Sequence, residues 1–252
     1  MSDAVVSCPV VVSPHLDDAV LSASVQLMRP GARLVTVCTG IPPDGTALGD
    51  WDRLTGAHDA AQRVRDRVAE DDAALVVLGV EHVVRLGFPD GQHLPEGGRR
   101  ADLDAMVTSL RPHLRDATEV WVPAAIGGHP DHVATRDAAL TATSEAAPAA
   151  TVHHFADVPY SLRYGWPPWV TGSEALSAYL DVEQWLAAEL SEAGLDETVL
   201  TRAVHTLGDD AERRKVKAMA CYRTQIPALD YAGALAQGDP ALVGFEVSWS
   251  RR

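Results

Sequence analysis

Pro9-Val10-Val11-Val12-Ser13, running directly into Pro14-His15-Leu16-Asp17-Asp18, is the stretch on which the fold turns. Three consecutive valines without a charge predict a strand covered on both faces, because a strand with one wet face would alternate. Asp17 to Met28 then shows helical periodicity, and Ala32 to Thr39 (ARLVTVCT) is again short, apolar and β-branched. Strand, helix and strand make one βαβ unit. The rhythm continues, with predicted strands at His82–Leu86, Glu119–Pro123 and Thr151–Phe155 and a possible last one at Gly244–Trp249. Between them lie predicted helices at His58–Leu78, Ala101–Leu114, Asp131–Ser144, Ser173–Ala193 and Asp210–Tyr222. Right-handed crossovers between such units give a three-layer α/β fold, a Rossmann-like, doubly wound, mostly parallel sheet with helices on both faces. At 252 residues the chain suits one domain spanning 1–252.

Composition excludes several functions. With 21 Lys+Arg against 35 Asp+Glu, the formal net charge of -14 leaves no attraction to nucleic acid or to an anionic membrane surface. Cys8, Cys38 and Cys221 are odd in number and lack C-x-x-C spacing, so neither a disulfide framework nor a thiolate metal site is expected. No apolar run is long enough to span a bilayer, and Asp3 with no Lys or Arg before Arg29 does not fit a signal peptide. A soluble cytoplasmic protein with reduced thiols is expected. Richness in Arg and Ala with only two lysines, Lys215 and Lys217, points to a GC-rich bacterial genome.

Ligands of a doubly wound sheet bind beyond the carboxyl ends of its strands, so chemistry is sought in the loops there. The first such loop lacks G-x-G-x-x-G and carries two aspartates at a helix start, which disfavours a nucleotide. An Asp pair there is most often a helix cap. However, a second cluster, Gly127-Gly128-His129-Pro130-Asp131-His132, follows the strand EVWVP and opens a helix in the matching position. His15, Asp18 and His132 then form a two-histidine, one-carboxylate set with room for water, the open geometry of catalytic zinc, with Fe²⁺ or another divalent ion as the alternative. Such an ion acidifies a water and polarises a carbonyl. Asp17, not needed as a ligand, is the candidate base. His129 is placed to stabilise an oxyanion as imidazolium or to protonate the leaving amine, with Asp131 holding its orientation.

PHLDD followed by GGHPDH resembles the PIG-L/LmbE family of zinc-dependent N-deacetylases. Arg67-Val68-Ala69-Glu70 with Ala74 and Leu78-Gly79 is similar to the family's R-x-x-E-x-x-x-A-x-x-x-L-G helix, Leu86 to Gly91 (LGFPDG) to its LG-x-PDG turn, and Tyr222 to Gln225 (YRTQ) to its Y-x-[ST]-Q. The resemblance implies metal-dependent removal of an acyl group, most often acetyl, from an amino sugar or a small metabolite containing one. It carries the metal onto His15, Asp18 and His132, the base onto Asp17 and the assisting acid onto His129. Arg67 and Asp90 are implied to hold sugar hydroxyls. An amidase acting on a larger sugar-amide conjugate would use the same set. The chain departs from some mycothiol-pathway relatives in having Gly127 where they carry tyrosine, and Tyr160, in the loop FADVPY, is a candidate replacement.

Two different classes compete with hydrolysis. A non-haem iron(II) oxygenase would read His15-Leu16-Asp17 with His132, but its all-β scaffold conflicts with the strand and helix alternation. A non-catalytic sugar binder would not need the complete set of ligands and base. Thr39–Trp51 and Val158–Gly172 are predicted as long loops over the working end. In the second, Trp166 and Trp169 are candidates for stacking on a sugar, against the commoner role of pinning a loop. Glu70, Asp71 and Asp72 read as a solvated helix face beyond the motif. Arg213, Arg214, Lys215 and Lys217 form a cationic cluster that needs no ligand. His58, His82, His93, His113 and His205 read as surface or satisfied core groups.

Overall fold

The valines of PVVVS divide between two hydrophobic layers, Val11 on one side and Val10 and Val12 on the other, all completely buried. That is the packing a continuous apolar strand requires. The computed structural model describes residues 8–95, 102–173, 179–230 and 233–251. Its strands are β1 (Pro9–Ser13), β2 (Arg33–Gly40), β3 (His82–Pro89), β4 (Glu119–Pro123), β5 (Thr151–Phe155), β6 (Leu200–Thr206) and β7 (Phe245–Arg251), in one sheet of order β3-β2-β1-β4-β5-β7-β6. β1 to β5 pair in parallel, whereas β7 is antiparallel to both β5 and β6. The mostly parallel, three-layer α/β fold read from the sequence is thus the fold found.

The helices used below are α1 (Asp18–Ser22), α2 (Ser24–Leu27), α3 (Asp50–Leu54), α4 (Ala60–Leu78), α5 (Leu103–Leu114), α6 (Pro130–Ala146), α7 (Val182–Glu192) and α8 (Asp209–Met219). Ala74 and Leu78 of α4, Leu186 and Leu190 of α7 and Met219 of α8 cover the Val11 face. Met106, Leu110 and Leu114 of α5 and Ala138 and Ala142 of α6 cover the other. Helix α4 starts where the Asp59 side chain accepts the Gln62 N–H and stops at Gly79, whose φ of 72° suits glycine.

Some local expectations need correction. The helix expected over Asp17–Met28 breaks at Ala23, because the buried Glu246 carboxylate accepts the N–H groups of Ser24 and Val25 and starts a second helix. Lys215, read as part of a cationic cluster, is buried and pairs with that same carboxylate at 2.8 Å. Strand β6 was not foreseen. It lies at the sheet edge, paired only with β7, so its sequence LTRAVHT carries neither a continuous apolar run nor a full alternation. Of the acidic run only Asp72 is solvated. Glu70 and Asp71 are buried, Glu70 accepting from Thr224, and Asp71 from Tyr222 and Arg85. Ala101 and residues 174–178, at and within the expected helices Ala101–Leu114 and Ser173–Ala193, lie outside the described residues.

Candidate functional site

β1 and β4 are neighbours in register, Val11 opposite Trp121, so the loops leaving their carboxyl ends open into the same space. A cavity of about 460 Å³ lies there, lined among others by His15, Asp17, Asp18, Arg67, Asp90, His129, Asp131 and His132. Every candidate site residue therefore comes together. Asp17 occupies the N-cap position of α1 but its side chain caps nothing, while Asp18 lies in the first turn. The loop after β4 bends sharply, with φ of 64° at Ala125, 82° at Gly127 and 65° at Gly128, and delivers His129 as the N-cap of α6.

His15 Nδ1 lies 3.1 Å and His132 Nε2 3.3 Å from the same Asp18 oxygen. One ligand atom from each of the three residues lies within 4.8 Å of the others. Each histidine is held at its other nitrogen by a buried carboxylate. Asp131 meets His15 Nε2 at 3.0 Å, and Asp157 meets His132 Nδ1 at 2.6 Å while also accepting the Ile126 N–H. That is the outer support an imidazole-ligated divalent ion calls for, and the donor set fits one. A second trio, His15, His129 and Asp131, shares His15 with the first.

The position of Asp131 corrects its expected partner. Its carboxylate serves His15 and the Gly91 N–H, and only its backbone N–H reaches His129, at Nδ1. With Nδ1 accepting, the neutral His129 ring carries its proton on Nε2. Asp157 was missed altogether, since a lone aspartate after a strand carries no spacing signal. Arg67 sits between two carboxylates, 3.3 Å from Asp17 and 3.4 Å from Asp90.

Charge follows from these contacts. Burial pushes the Asp17 carboxyl up, more than Arg67 pulls it down. Burial acts likewise on Asp18, but His132 and His15 overcome it and hold Asp18 well below the usual range. Against burial, Asp18 and Asp157 raise His132 to about 9, and Asp131 and Asp18 raise His15. His129 has no such support, and burial together with the neighbouring imidazoles takes it down to about 4.

The two tryptophans weighed as stacking candidates lie away from the cavity. Trp166 is buried with its N–H on the Leu242 carbonyl, and Trp169 packs beneath the Arg202 guanidinium, 4.1 Å away. They pin their segment, and the aromatic residues that do line the cavity are Trp51 and Tyr160. His93, read as a surface or satisfied core group, pairs through Nε2 with Asp52 at 2.8 Å, while its buried Nδ1 has no hydrogen-bond partner among the described residues.

Residues 10–143 match the PIG-L family profile, described as GlcNAc-PI de-N-acetylase. The chain belongs to the PIG-L family. It is accordingly a deacetylase-class hydrolase of amide bonds. Among solved structures, this PIG-L protein resembles the A40926 pseudoaglycone deacetylase Dbv21, with 26% identity and a TM-score of 0.70 over 97% of this chain and 96% of that one. It also resembles the zinc-inhibited form of teicoplanin deacetylase Orf2, with 25% identity and a TM-score of 0.67 over 97% of each chain. The 4-carboxy-2-hydroxymuconate hydratase from Pseudomonas putida KT2440, 16% identical with a TM-score of 0.54 over 97% of this chain and 96% of that one, shares the fold alone. Curated proteins give no significant match. Among the described residues no helix is long and apolar enough to cross a membrane.

Proposed function

We propose that this PIG-L protein, acting as one catalytic domain in the cytoplasm, removes an acetyl group from an amino sugar carried on a larger small-molecule metabolite, with one zinc ion held by His15, Asp18 and His132. The observation that carries this reading is the division of the aspartate pair. Asp18 lies between the two histidines, while adjacent Asp17 lines the cavity beside Arg67. The similar deacetylases Dbv21 and Orf2 are named for A40926 pseudoaglycone and teicoplanin, which supports an acyl group carried on a larger molecule here.

A divalent ion supplies a Lewis acid for the amide carbonyl and makes a nearby water more acidic. Asp17 takes the proton of the attacking water and returns it to the amide nitrogen as the C–N bond breaks and the amine leaves, a task suited by a carboxyl that burial pushes up. His129 presents Nε2–H to the oxygen that gains charge, acting as a neutral donor rather than as imidazolium. Asp131 and Asp157 hold the ligands His15 and His132 in place. Asp157→Asn should therefore weaken zinc binding by about 10- to 100-fold, read by chelator competition. Undiminished affinity would remove Asp157 from this role. Arg67 and Asp90 face the sugar, with Arg67 also fixing Asp17.

Tyr160 takes the place of the tyrosine absent at 127. A Cβ on Gly127 would come within 2.9 Å of the Tyr160 ring, so the two positions cannot both carry bulk. The ring also stands edge-on to His132, 5.5 Å between centroids, and walls that side of the cavity. The test is amine release from a panel of N-acetylated amino sugars and their conjugates. Zinc should be kept at one equivalent, because the second trio offers excess ion a competing place that includes His15. Turnover of some N-acetyl amino sugar is expected. Release from none of them, with zinc bound, would overturn the proposal.

A further inference from the structure

Two motifs that the hydrolytic reading leaves unused, Tyr222-Arg223-Thr224-Gln225 and Glu70 of the α4 helix, meet on one aromatic side chain at the cavity wall. Trp51, in α3, donates its indole N–H to Gln225 Oε1 at 2.7 Å. Gln225 is fully buried and donates to Thr224 Oγ1, which in turn donates to Glu70 Oε2 at 2.8 Å. The next residue, Asp52, is fixed as firmly. Its N–H reaches the Gln92 side chain, and its buried carboxylate accepts from Gly49 and pairs with His93. An aromatic group held this way presents its face without the cost of ordering it on binding.

The surroundings of Trp51 say what that face is for. Leu94, Pro95 and Leu229 line the same cavity, and Leu54, one turn from Trp51 on the same side of α3, is 65% exposed. Strand order sets the direction of this apolar wall. The proposed ligands come from loops after β1 and β4, Tyr160 follows β5, and Trp51, Leu94 and Pro95 follow β2 and β3, on the opposite side. Arg67 and Asp90 stand on that opposite side too, Asp90 immediately after β3. A sugar held there, with its acetamide at the metal ligands and its acyl group toward Tyr160, directs its glycosidic substituent at Trp51.

We infer that Trp51 is a specificity-determining residue that stacks on a flat, apolar aglycone, so that the substrate class is aryl-substituted amino-sugar glycosides rather than free amino sugars. This rests on the proposed deacetylation. The experiment compares wild type, Trp51→Ala and Trp51→Phe on free N-acetylglucosamine, its 4-nitrophenyl glycoside, and N-octanoylglucosamine. Equilibrium binding of the nitrophenyl glycoside provides a readout independent of turnover. Wild type should prefer the nitrophenyl glycoside. Trp51→Ala should lose about tenfold in kcat/KM on it, mostly through KM, with a parallel loss of binding, while changing little on the free sugar. Trp51→Phe should recover most of both. An equal loss on all three substrates, no preference in wild type, or a loss confined to the octanoyl amide would overturn the inference. If no substrate releases amine, deacetylation fails as a reading, while a binding loss in Trp51→Ala with recovery in Trp51→Phe would still support the stacking wall and an unchanged affinity would reject it.

Discussion

Asp17→Asn should keep its zinc and lose about 10²–10⁴-fold in kcat, the usual worth of a positioned general base. Asparagine preserves the size and one acceptor oxygen, so the change takes away proton acceptance and little else. The Arg67 contact gives this experiment a second arm. Arg67 lies 3.3 Å from Asp17 and is itself buried, so an uncharged partner leaves its charge compensated chiefly by Asp90, 3.4 Å away, with a smaller part from Asp18. A modest fall in thermal stability is therefore expected beside the loss of rate. Rate and metal content measured on the same sample decide the assignment. If Asp17→Asn loses zinc while Asp18→Asn retains both zinc and activity, the two aspartates have exchanged roles.

His15→Ala, Asp18→Ala and His132→Ala should each remove most bound zinc and with it all measurable turnover, since each takes one of only three protein ligands. Full stoichiometric zinc at unchanged affinity in any one of them would strike that residue from the set. Protons give an independent check. His132 is held protonated up to about 9, and a ligand must be deprotonated, so zinc added near neutral pH should expel a proton. Zinc affinity should then rise with pH and level off above that value. In a weakly buffered solution the release can be titrated directly, and its absence near neutral pH would argue against His132.

How much the sequence discloses depends on the range of its signals. A buried strand such as PVVVS and the paired His/Asp clusters announce themselves by local pattern, and both were found where they were expected. Contacts made only in three dimensions left no such trace. Asp157 meets His132 across 25 residues, Trp51 meets Gln225 across 174, and Glu246 interrupts the first helix from 222 residues away. Asp131 shows the same limit from inside a motif. Its spacing suggested His129 as partner, yet its place on the first turn of α6 turns the carboxylate to His15, 116 residues distant. The aromatic wall was sought in the segment with the most tryptophans, whereas a single one with a buried anchor forms it.

β5 is the last strand to run with the others, and beyond it β7 and β6 extend the sheet away from the cavity loops. This divides the work of the site along the chain. The proposed ligands and base lie within the first 132 residues, inside the matched 10–143 segment, while Tyr160, Gln225 and Leu229 belong to the C-terminal remainder. The later segment thus carries the side chains proposed to select acyl group and aglycone, yet it is built into the same core, with Glu246 accepting from Ser24 and Tyr222 donating to Asp71. Asp157 and Tyr160 couple that remainder to the proposed ligand His132, and the Tyr222 hydroxyl meets the Leu16 carbonyl beside His15, so a chimaera joined at the boundary must carry these residues over to keep its metal.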